Sequence, residues 1–429
     1  MATPQSPITT PDILTTTTGG CPVQHATPAD TDGQRFALYT PEFVADPHRA
    51  YHAMRAQFGS LVPVELAPGV PATLVVGHAV AVRILNDPTH FPADPRTWQK
   101  SVPEDCPVRP MMGWLPAARN SDGATHARYR DASVSGIDGI DLHSVNSTVE
   151  RVALPLINAF CRNGSADLVA QYAFPLVLEV LNQMVGCPDE IGRRVADGMA
   201  ARFDSVNPAL GMQMLKSALM ELITLKREQP GNDVTSRLAQ HHGGLDDIEV
   251  FAQLMSFYGA GFEAQRNLIT NALLLMITDD RFKFGDVMGR NLSTANAIDE
   301  VLFNDPPMAN FCTTYPRQPI SVDGVWLPAD QPVVVSLAAC NNDPEIRGNQ
   351  DSSIGNRSHL AWSAGPHTCP AKDVAYLTVQ YAIDQLFDVL PDIQLAVPTD
   401  TLLWRPGPFH RAMASFPVVF SASAPVHIM

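Results

Sequence analysis

The sequence predicts a mainly α-helical fold with a smaller β part, and three observations support this prediction. Apolar residues recur at helical spacing through residues 148–199 and again through residues 246–276. Strand signals are short: residues 72–76 form one apolar run, and residues 319–337 have the pattern of a hairpin with an Asp323-Gly324 turn. No internal repeat is visible.

Local signals place the other elements. Residues 41–58 are expected to form a helical approach to the first strand. Residues 98–120 hold several Pro and two Trp without periodicity, which predicts a long irregular loop of the kind that is often functional. Asp residues at 246–247 favour the start of the long helix. The Pro pair at 306–307 should end the next helix, because proline cannot continue one.

Composition bounds the class of protein. The chain has 429 residues, of which 45% are hydrophobic and 17% are charged, enough to bury a large core. Residues 1–30, rich in Thr, Pro and Ser, are expected to be a disordered tail. The net charge of −15 argues against a nucleic-acid partner. No apolar run reaches the roughly 18–20 residues that span a bilayer, and no charged-then-apolar leader opens the chain. We therefore expect a cytoplasmic protein without a membrane partner.

Cys369 lies in the most informative segment, Trp362 to Ala371. The seven Cys residues of the chain are scattered without a C-x-x-C pair, which argues against a disulfide framework or zinc site. Cys369 sits in a Gly/Pro-bent loop just before a helical pattern, where unpaired N–H groups and the helix dipole lower a thiol's pKa and suit a metal-bound sulfur. Taken alone, the segment is more typical of a buried structural cysteine than of a metal ligand.

This segment resembles the heme-binding signature of cytochromes P-450, F-x-x-G-x-H-x-C-x-G/A. Trp362 stands for the Phe, while Gly365, His367 and Cys369 match and Ala371 fills the small position. The resemblance extends from about residue 41 to the C-terminus. It implies a single heme-binding domain over residues 31–429 of the soluble bacterial type, with heme b held by the Cys369 thiolate, whose electron density favours O–O cleavage.

His126 and Arg130 form a second motif. They are four residues apart on one face of a predicted helix and could bind a carboxylate or phosphate, although a solvated basic turn has the same pattern. The pair resembles the family's H-x-x-x-R element, whose side chains contact a heme propionate. The resemblance implies that His367 is a third propionate partner.

Residues 259–264 resemble the family's A-G-x-(D/E)-T pattern beside the oxygen-binding face of the heme. Ala260, Gly261 and Glu263 match, but Ala264 replaces the Thr whose hydroxyl takes part in proton delivery. The two mid-helix Gly residues indicate either close helix packing or an approach to the helix backbone. Three explanations remain open: substrate or water supplies the proton, Glu263 or Gln265 does, or the chemistry is peroxide-driven or oxidative coupling.

Glu300 lacks its usual partner. In the family's E-x-x-R pair the Arg locks the core behind the heme loop, and Phe303 stands in its place. A buried unpaired carboxylate is unfavourable, so Glu300 should be exposed or protonated, or another cation should reach it. The candidates are Arg317, Arg347 and Arg357.

Further departures lie close by. The family's propionate-binding Arg after the helix is missing from residues 312–314, and residues 347–357 lack the F-x-P-x-R-F element. Residues 98–115, 308–311 and 408–413 are expected to line the substrate pocket by resemblance.

The predicted function is oxidation of a small organic molecule by a heme-thiolate monooxygenase in bacterial secondary metabolism. A ferredoxin-type donor is expected to dock near Arg128 and Lys372. The alternatives are a non-oxygenating heme enzyme and a catalytically degenerate ligand-binding member. His241 and His242 are expected to lie in a surface loop without an acidic partner, rather than in a metal site.

Overall fold

The fold is given by a computed structural model, which describes residues 35–203, 208–282, 292–347 and 356–426. The expected disordered tail, residues 1–30, lies outside the described residues.

Helices dominate the described residues, as predicted. The α-helices in chain order are α1 (Pro41–Ala45), α2 (Pro47–Phe58), α3 (His78–Leu85), α4 (Arg109–Met112), α5 (Gly123–Asp138), α6 (Val145–Phe160), α7 (Phe174–Met184), α8 (Asp189–Phe203), α9 (Pro208–Glu228), α10 (Val234–Ala239), α11 (Asp247–Thr278), α12 (Thr294–Asn304), α13 (Leu337–Asn341), α14 (Pro344–Arg347) and α15 (Lys372–Val389). Single 3₁₀ turns add Trp98–Lys100, Ala118–Asn120, Leu142–Ser144, Asp280–Phe282, Gly365–His367 and Thr399–Thr401, and a π-helical turn covers Val169–Ala173.

The β part consists of three small sheets. Its strands are β1 (Phe36–Ala37), β2 (Leu61–Ala67), β3 (Val70–Val75), β4 (Ser165–Asp167), β5 (Asn310–Thr314), β6 (Ile320–Val322), β7 (Val325–Leu327), β8 (Val333–Ser336), β9 (Gln394–Leu395) and β10 (Pro417–Val419). The largest sheet has the order β1-β2-β3-β8-β5, a second has β4-β10-β9, and β6 pairs with β7. β8 runs parallel to β3 and antiparallel to β5.

Helix α11 begins where its sequence predicts. The Asp246 side chain accepts a hydrogen bond from the Glu249 backbone N–H at 2.8 Å, and the Glu249 carboxylate accepts one from the Asp246 backbone N–H at 3.0 Å. This capping box satisfies two N–H groups that the first turn leaves without partners. Helix α12 ends at Asn304, just before the Pro pair, as predicted.

The buried core has a helical part and a sheet part. Helix α11 packs against α7, α9, α12 and α15 in the helical part. Two smaller apolar clusters involve the five-stranded sheet: one includes Leu74 and Val334, and the other includes Val75 and Val335. This arrangement places the middle of α11 and the start of α15 in one neighbourhood.

Two predicted elements differ in detail. Residues 98–120 are irregular but contain the short helix α4. Residues 320–327 form the expected hairpin at Asp323 and Gly324, both with positive φ, whereas β8 leaves the hairpin and joins the large sheet because its Val residues are buried there. Among the described helices, none is both long and apolar enough to cross a membrane.

Candidate functional site

A cavity of about 670 Å³ lies between α11, the Cys369 loop and residues 109–120. Its wall is mainly apolar, with few polar groups, as in most sites for small organic molecules and cofactors. Cys369, His367 and Arg130 lie on one part of the wall, and Gly259, Ala260, Gly261, Ala264 and Gln265 lie on another. The structure therefore brings three separate sequence motifs to one cavity.

The Cys369 loop is shaped by its backbone. The Cys369 N–H donates to the Trp362 carbonyl at 2.8 Å, and Gly365 has φ of +67°. A Cβ atom at Gly365 would overlap the Leu85 carbonyl oxygen and lie 3.0 Å from its carbon, so the loop rests directly on the end of α3. Only glycine permits this φ and this approach together.

Cys369 lies just before α15 and is half-buried. Burial raises the pKa of the Cys369 thiol, while the Ala371 N–H and the charges of Arg130 and Lys372 lower it. Burial dominates, so the helix start alone does not produce a thiolate, contrary to the argument from sequence. A coordinated cation would stabilise the deprotonated sulfur.

His126 and His367 come together although 241 positions separate them in the chain (367 − 126). Their ring centroids are 4.4 Å apart. Burial lowers the pKa of His367 to about 4, helped by His126 and Arg130, and burial also lowers the pKa of His126. Both imidazoles are therefore neutral hydrogen-bond donors at neutral pH.

Polar atoms in this cluster and on the cavity wall are buried without a partner among the described residues. They are His126 Nε2 and the hydroxyls of Thr313 and Thr314. Arg130 donates to the Thr368 carbonyl at 2.5 Å and has no carboxylate partner among the described side chains. Native structures rarely leave such groups unpaired, so the cluster fits a ligand that carries anionic oxygens.

Helix α11 presents small residues to the cavity. A Cβ atom on Gly259 would meet nothing within 4 Å, while one on Gly261 would lie 3.3 Å from Leu181. Gln265 is buried and its amide donates to the Gly261 carbonyl at 3.0 Å. Gln265 is therefore the polar side chain that follows Ala264 on this wall.

Glu263 is oriented differently. It is 1% exposed and is not among the residues that line the cavity. Arg266 lies 2.9 Å and Arg405 3.1 Å from its carboxylate, and Asn267 donates to it at 3.1 Å. Burial alone would raise the pKa of Glu263, but the two guanidinium charges outweigh it and hold that pKa below its usual value. Glu263 ties α11 to the C-terminal segment.

Arg281 is the cation that reaches Glu300, at 2.7 Å, so the three candidates from sequence were wrong. Arg281 follows α11, far from the usual position three residues after the Glu. Arg317 lies 3.0 Å from Asp94 instead, and Arg347 donates to Asn342.

Arg357 pairs with Asp299, the residue before Glu300. Its guanidinium lies 2.9 Å from the Asp299 carboxylate, which is 4% exposed. Tyr376 of α15 donates to the same carboxylate and to the Ala295 carbonyl, both at 3.0 Å. This network joins α12, the segment before the Cys369 loop and α15.

The expected pocket ranges are only partly confirmed by the lining. Residues 109–115 and Gln99 line the cavity, as do Met308 and Phe311. None of residues 408–413 does, because Asn310 and Asn271 hold the backbone of this hairpin through the carbonyls of Pro408 and Arg411.

The His pair does have an acidic neighbour, contrary to expectation. Asp131 lies 3.4 Å from His241 Nε2 and 3.3 Å from His242 Nε2. The Gly243 N–H donates to His241 Nδ1, so Nε2 carries the proton of the neutral ring and faces Asp131 as a donor. This tautomer leaves His241 Nε2 without a lone pair for a metal.

The sequence did not single out Arg281 or Arg405, and it included Arg109 only within the expected pocket range 98–115. Arg405 lies in the segment that the sequence singled out as a hairpin, but nothing in the sequence pairs it with Glu263. Arg281 follows two Asp residues, and such a run of charges is typical of an exposed loop, so nothing in the sequence indicates a partner at Glu300. Arg109 carried no signal beyond its position in the irregular loop.

No protein-family model matches the chain. Curated bacterial proteins do match most of it. A 2-hydroxy-5-methyl-1-naphthoate 7-hydroxylase of Streptomyces carzinostaticus is 26% identical over 402 residues, which cover 90% of this chain and 95% of that protein. The cytochrome P-450 monooxygenase PikC of Streptomyces venezuelae is 26% identical over 389 residues, 88% of this chain and 92% of PikC.

A solved structure has the same fold. CYP154C4 from Streptomyces sp. W2061 is 25% identical, with a TM-score of 0.80 over 92% of this chain and 99% of that one. The likeness therefore extends over nearly the whole length of both proteins.

The loop geometry predicts that Gly365→Ala will prevent correct placement of Cys369, because the methyl group would overlap the Leu85 carbonyl. We expect the purified variant to bind less than about one tenth of the heme bound by the wild type, measured as pyridine hemochrome. Gly69→Ala is the matched control, since Gly69 has φ of +72° but open space around a Cβ. Equal heme contents in the two variants would show that the contact with Leu85 is unimportant.

The ion pairs predict that Arg281→Ala lowers the free energy of unfolding by about 1–3 kcal/mol, because Glu300 would stay buried without a cation. Urea unfolding followed by circular dichroism measures this change. Arg83→Ala is the control: its pair with Asp323 has side chains 58% and 52% exposed, so we expect a change below about 1 kcal/mol. Equal losses would refute a specific role for Arg281.

Proposed function

Since the chain belongs to the cytochrome P-450 superfamily, we propose that it is a heme-thiolate monooxygenase that oxidises a small organic molecule in bacterial secondary metabolism. The observation that carries the proposal is the meeting of Cys369, the His126–His367–Arg130 cluster and the small-residue face of α11 around one cavity. The proposed heme domain spans residues 31–429.

The buried polar groups fit a heme b with its propionates at the histidine cluster. Cys369 would ligate the iron through its thiolate. Arg130, His126 and His367 would bind propionate oxygens. Trp362 and Gly365 would hold the loop against the macrocycle. The heme, when bound, supplies the oxidative chemistry.

Residues of this chain would position the substrate and protons. Ala260, Gly261 and Ala264 line the cavity with small side chains, which leave room for a substrate beside this wall. We propose that Gln265 replaces the missing Thr hydroxyl as the fixed polar group of this wall, since its amide already bonds the Gly261 carbonyl. Glu263 would act through the position of α11 and not as a direct proton donor, because Arg266 and Arg405 bind its carboxylate.

Ala264 also keeps a second function in consideration. Peroxide-driven or coupling chemistry by the same heme would need no proton relay from α11, so it would not need the hydroxyl that Ala264 lacks. Comparing product formation driven by hydrogen peroxide with product formation driven by reductant distinguishes this alternative from monooxygenation.

The substrate class follows only coarsely from the relatives. The relatives' names include a naphthoate hydroxylase, a vitamin D(3) hydroxylase and a 6-deoxyerythronolide B hydroxylase. A cavity lined by Met255, Met308, Leu268 and Phe311 suits an apolar substrate body of this general size.

Electrons would come from a small redox partner of the ferredoxin type. Lys372 is exposed beside the Cys369 loop and could meet an acidic surface. Arg128 is less suited than the sequence suggested, because it bonds Glu249 and the carbonyls of Gly243 and Gly244.

The absorbance spectrum of the reduced protein with carbon monoxide tests the proposal. We expect a Soret band at the wavelength that gives the family its name, and we expect Cys369→Ser to lose it. Cys312→Ser is the matched control, because Cys312 is a second thiol on the cavity wall and should not matter. A band that depends on Cys312, or no band in the wild type, would contradict the assignment.

Gln265→Leu should slow reductant-driven product formation by about a hundredfold or more, the lower end of the range for lost acid–base catalysis. It should also increase the peroxide released per reductant consumed, while peroxide-driven turnover stays unchanged. Gln253→Leu is the control, since Gln253 is also a buried amide of α11 on the cavity wall. Equal effects of the two variants would remove Gln265 from proton delivery.

A further inference from the structure

We propose that the substrate of this cavity is a carboxylate with a bulky apolar body, and that Arg109 binds its anionic group. The inference rests on the proposed function, because it concerns the same cavity. It comes from the charges of the cavity wall and from the hydrogen-bond partners of its three arginines.

The wall has the opposite charge to the protein. The chain carries 44 acidic and 29 basic residues. Among the described residues that line the cavity, Arg109, Arg119 and Arg130 are the Arg side chains, and none is Asp or Glu. Positive charge has therefore been concentrated where a ligand binds, and low-dielectric walls strengthen its attraction for an anion.

Two of the three guanidinium groups already have other partners. Arg130 bonds the Thr368 carbonyl and stands beside the His126–His367 pair proposed for the propionates. Arg119 donates from Nε to Asn120 at 3.2 Å. Burial raises the pKa of Tyr315, and the charge of Arg119 opposes that rise, so Arg119 lies near the phenol. Tyr315 directly follows β5, so Arg119 lies on the side where the family's propionate Arg is missing.

Arg109 is different. It lies on α4 and is half-buried. In the described part of the chain its side chain forms no hydrogen bond and no ion pair. A substrate that covered this guanidinium without offering an acceptor would bind unfavourably, and the planar fork of Arg109 matches a carboxylate through two parallel hydrogen bonds.

The neighbours of Arg109 define the rest of the ligand. Met111, Met112 and Trp114 line the same stretch of wall, and thioether side chains adapt to irregular apolar shapes. A wholly apolar substrate would leave Arg109 without a partner, and a strongly polar one would not match the methionines. An amphipathic carboxylate satisfies both.

Isothermal titration of the holoenzyme with decanoate and its uncharged isostere decanamide tests the proposal. We expect decanoate to bind at least about tenfold more tightly than decanamide, in the range of a charge-assisted hydrogen bond. Arg109→Gln should abolish that preference and change decanamide affinity by less than about twofold. Lys100→Gln is the matched control: Lys100 is an exposed cation of the same loop that does not line the cavity, and its loss should leave the preference intact.

Three results would overturn the inference. Decanoate binding no tighter than decanamide, or not measurable, would show that the wall does not select anions. Equal losses in both variants would assign the effect to net charge. A lower heme content in Arg109→Gln than in the wild type, measured as pyridine hemochrome, would show that Arg109 binds the cofactor instead. The carbon monoxide spectrum of the same preparation reports separately on the proposed heme-thiolate function.

Discussion

The contact between Gly365 and the Leu85 carbonyl is the constraint on which the site depends. It fixes the Cys369 loop against the end of α3, and α3 in turn packs on the five-stranded sheet. The sulfur is therefore positioned from the sheet side, whereas the opposite wall of the cavity comes from the helical part of the core. The cavity exists because these two parts meet there, and its width is set by backbone contact and by small residues on α11.

Ion pairs around the loop have been redistributed and not simply lost. Phe303, where the family has Arg, is 2% exposed. Glu300 takes its cation from the end of α11, and the neighbouring Asp299 binds Arg357 and Tyr376. The links from α12 to α11 and to α15 are thus kept by different partners. This supports a coherently altered core over a degenerate one, since a core under no constraint would not pair both adjacent carboxylates.

The sequence predicts the local features well and the long-range pairings poorly. Helix α11 with its Asp246 cap, the end of α12, the hairpin at Asp323 and the loop before α15 follow from capping, proline and turn chemistry, which act over a few residues. The partner of Glu300 could not be predicted, because Arg281 reaches it only through the packing of α11 on α12. Similarly, β8 leaves the hairpin because its valines fit the large sheet, and local strand propensity does not show that choice.

The roles of Glu263 and Gln265, in contrast, could have been separated from the sequence. Gly261, Ala264, Gln265 and Leu268 follow helical spacing on the cavity wall, and Glu263, Arg266, Asn267 and Thr270 follow the same spacing two residues later. Two residues of an α-helix turn through about 200°, so the two sets lie on opposite faces. A carboxylate on the second face can reach Arg405 of the C-terminal segment but not a ligand against Gly261. The ion pairs of Glu263 with Arg266 and Arg405 thus hold α11 on the face that points away from the cavity. On the cavity face, the Gly261 backbone bonds the amide of Gln265, which is the polar side chain there.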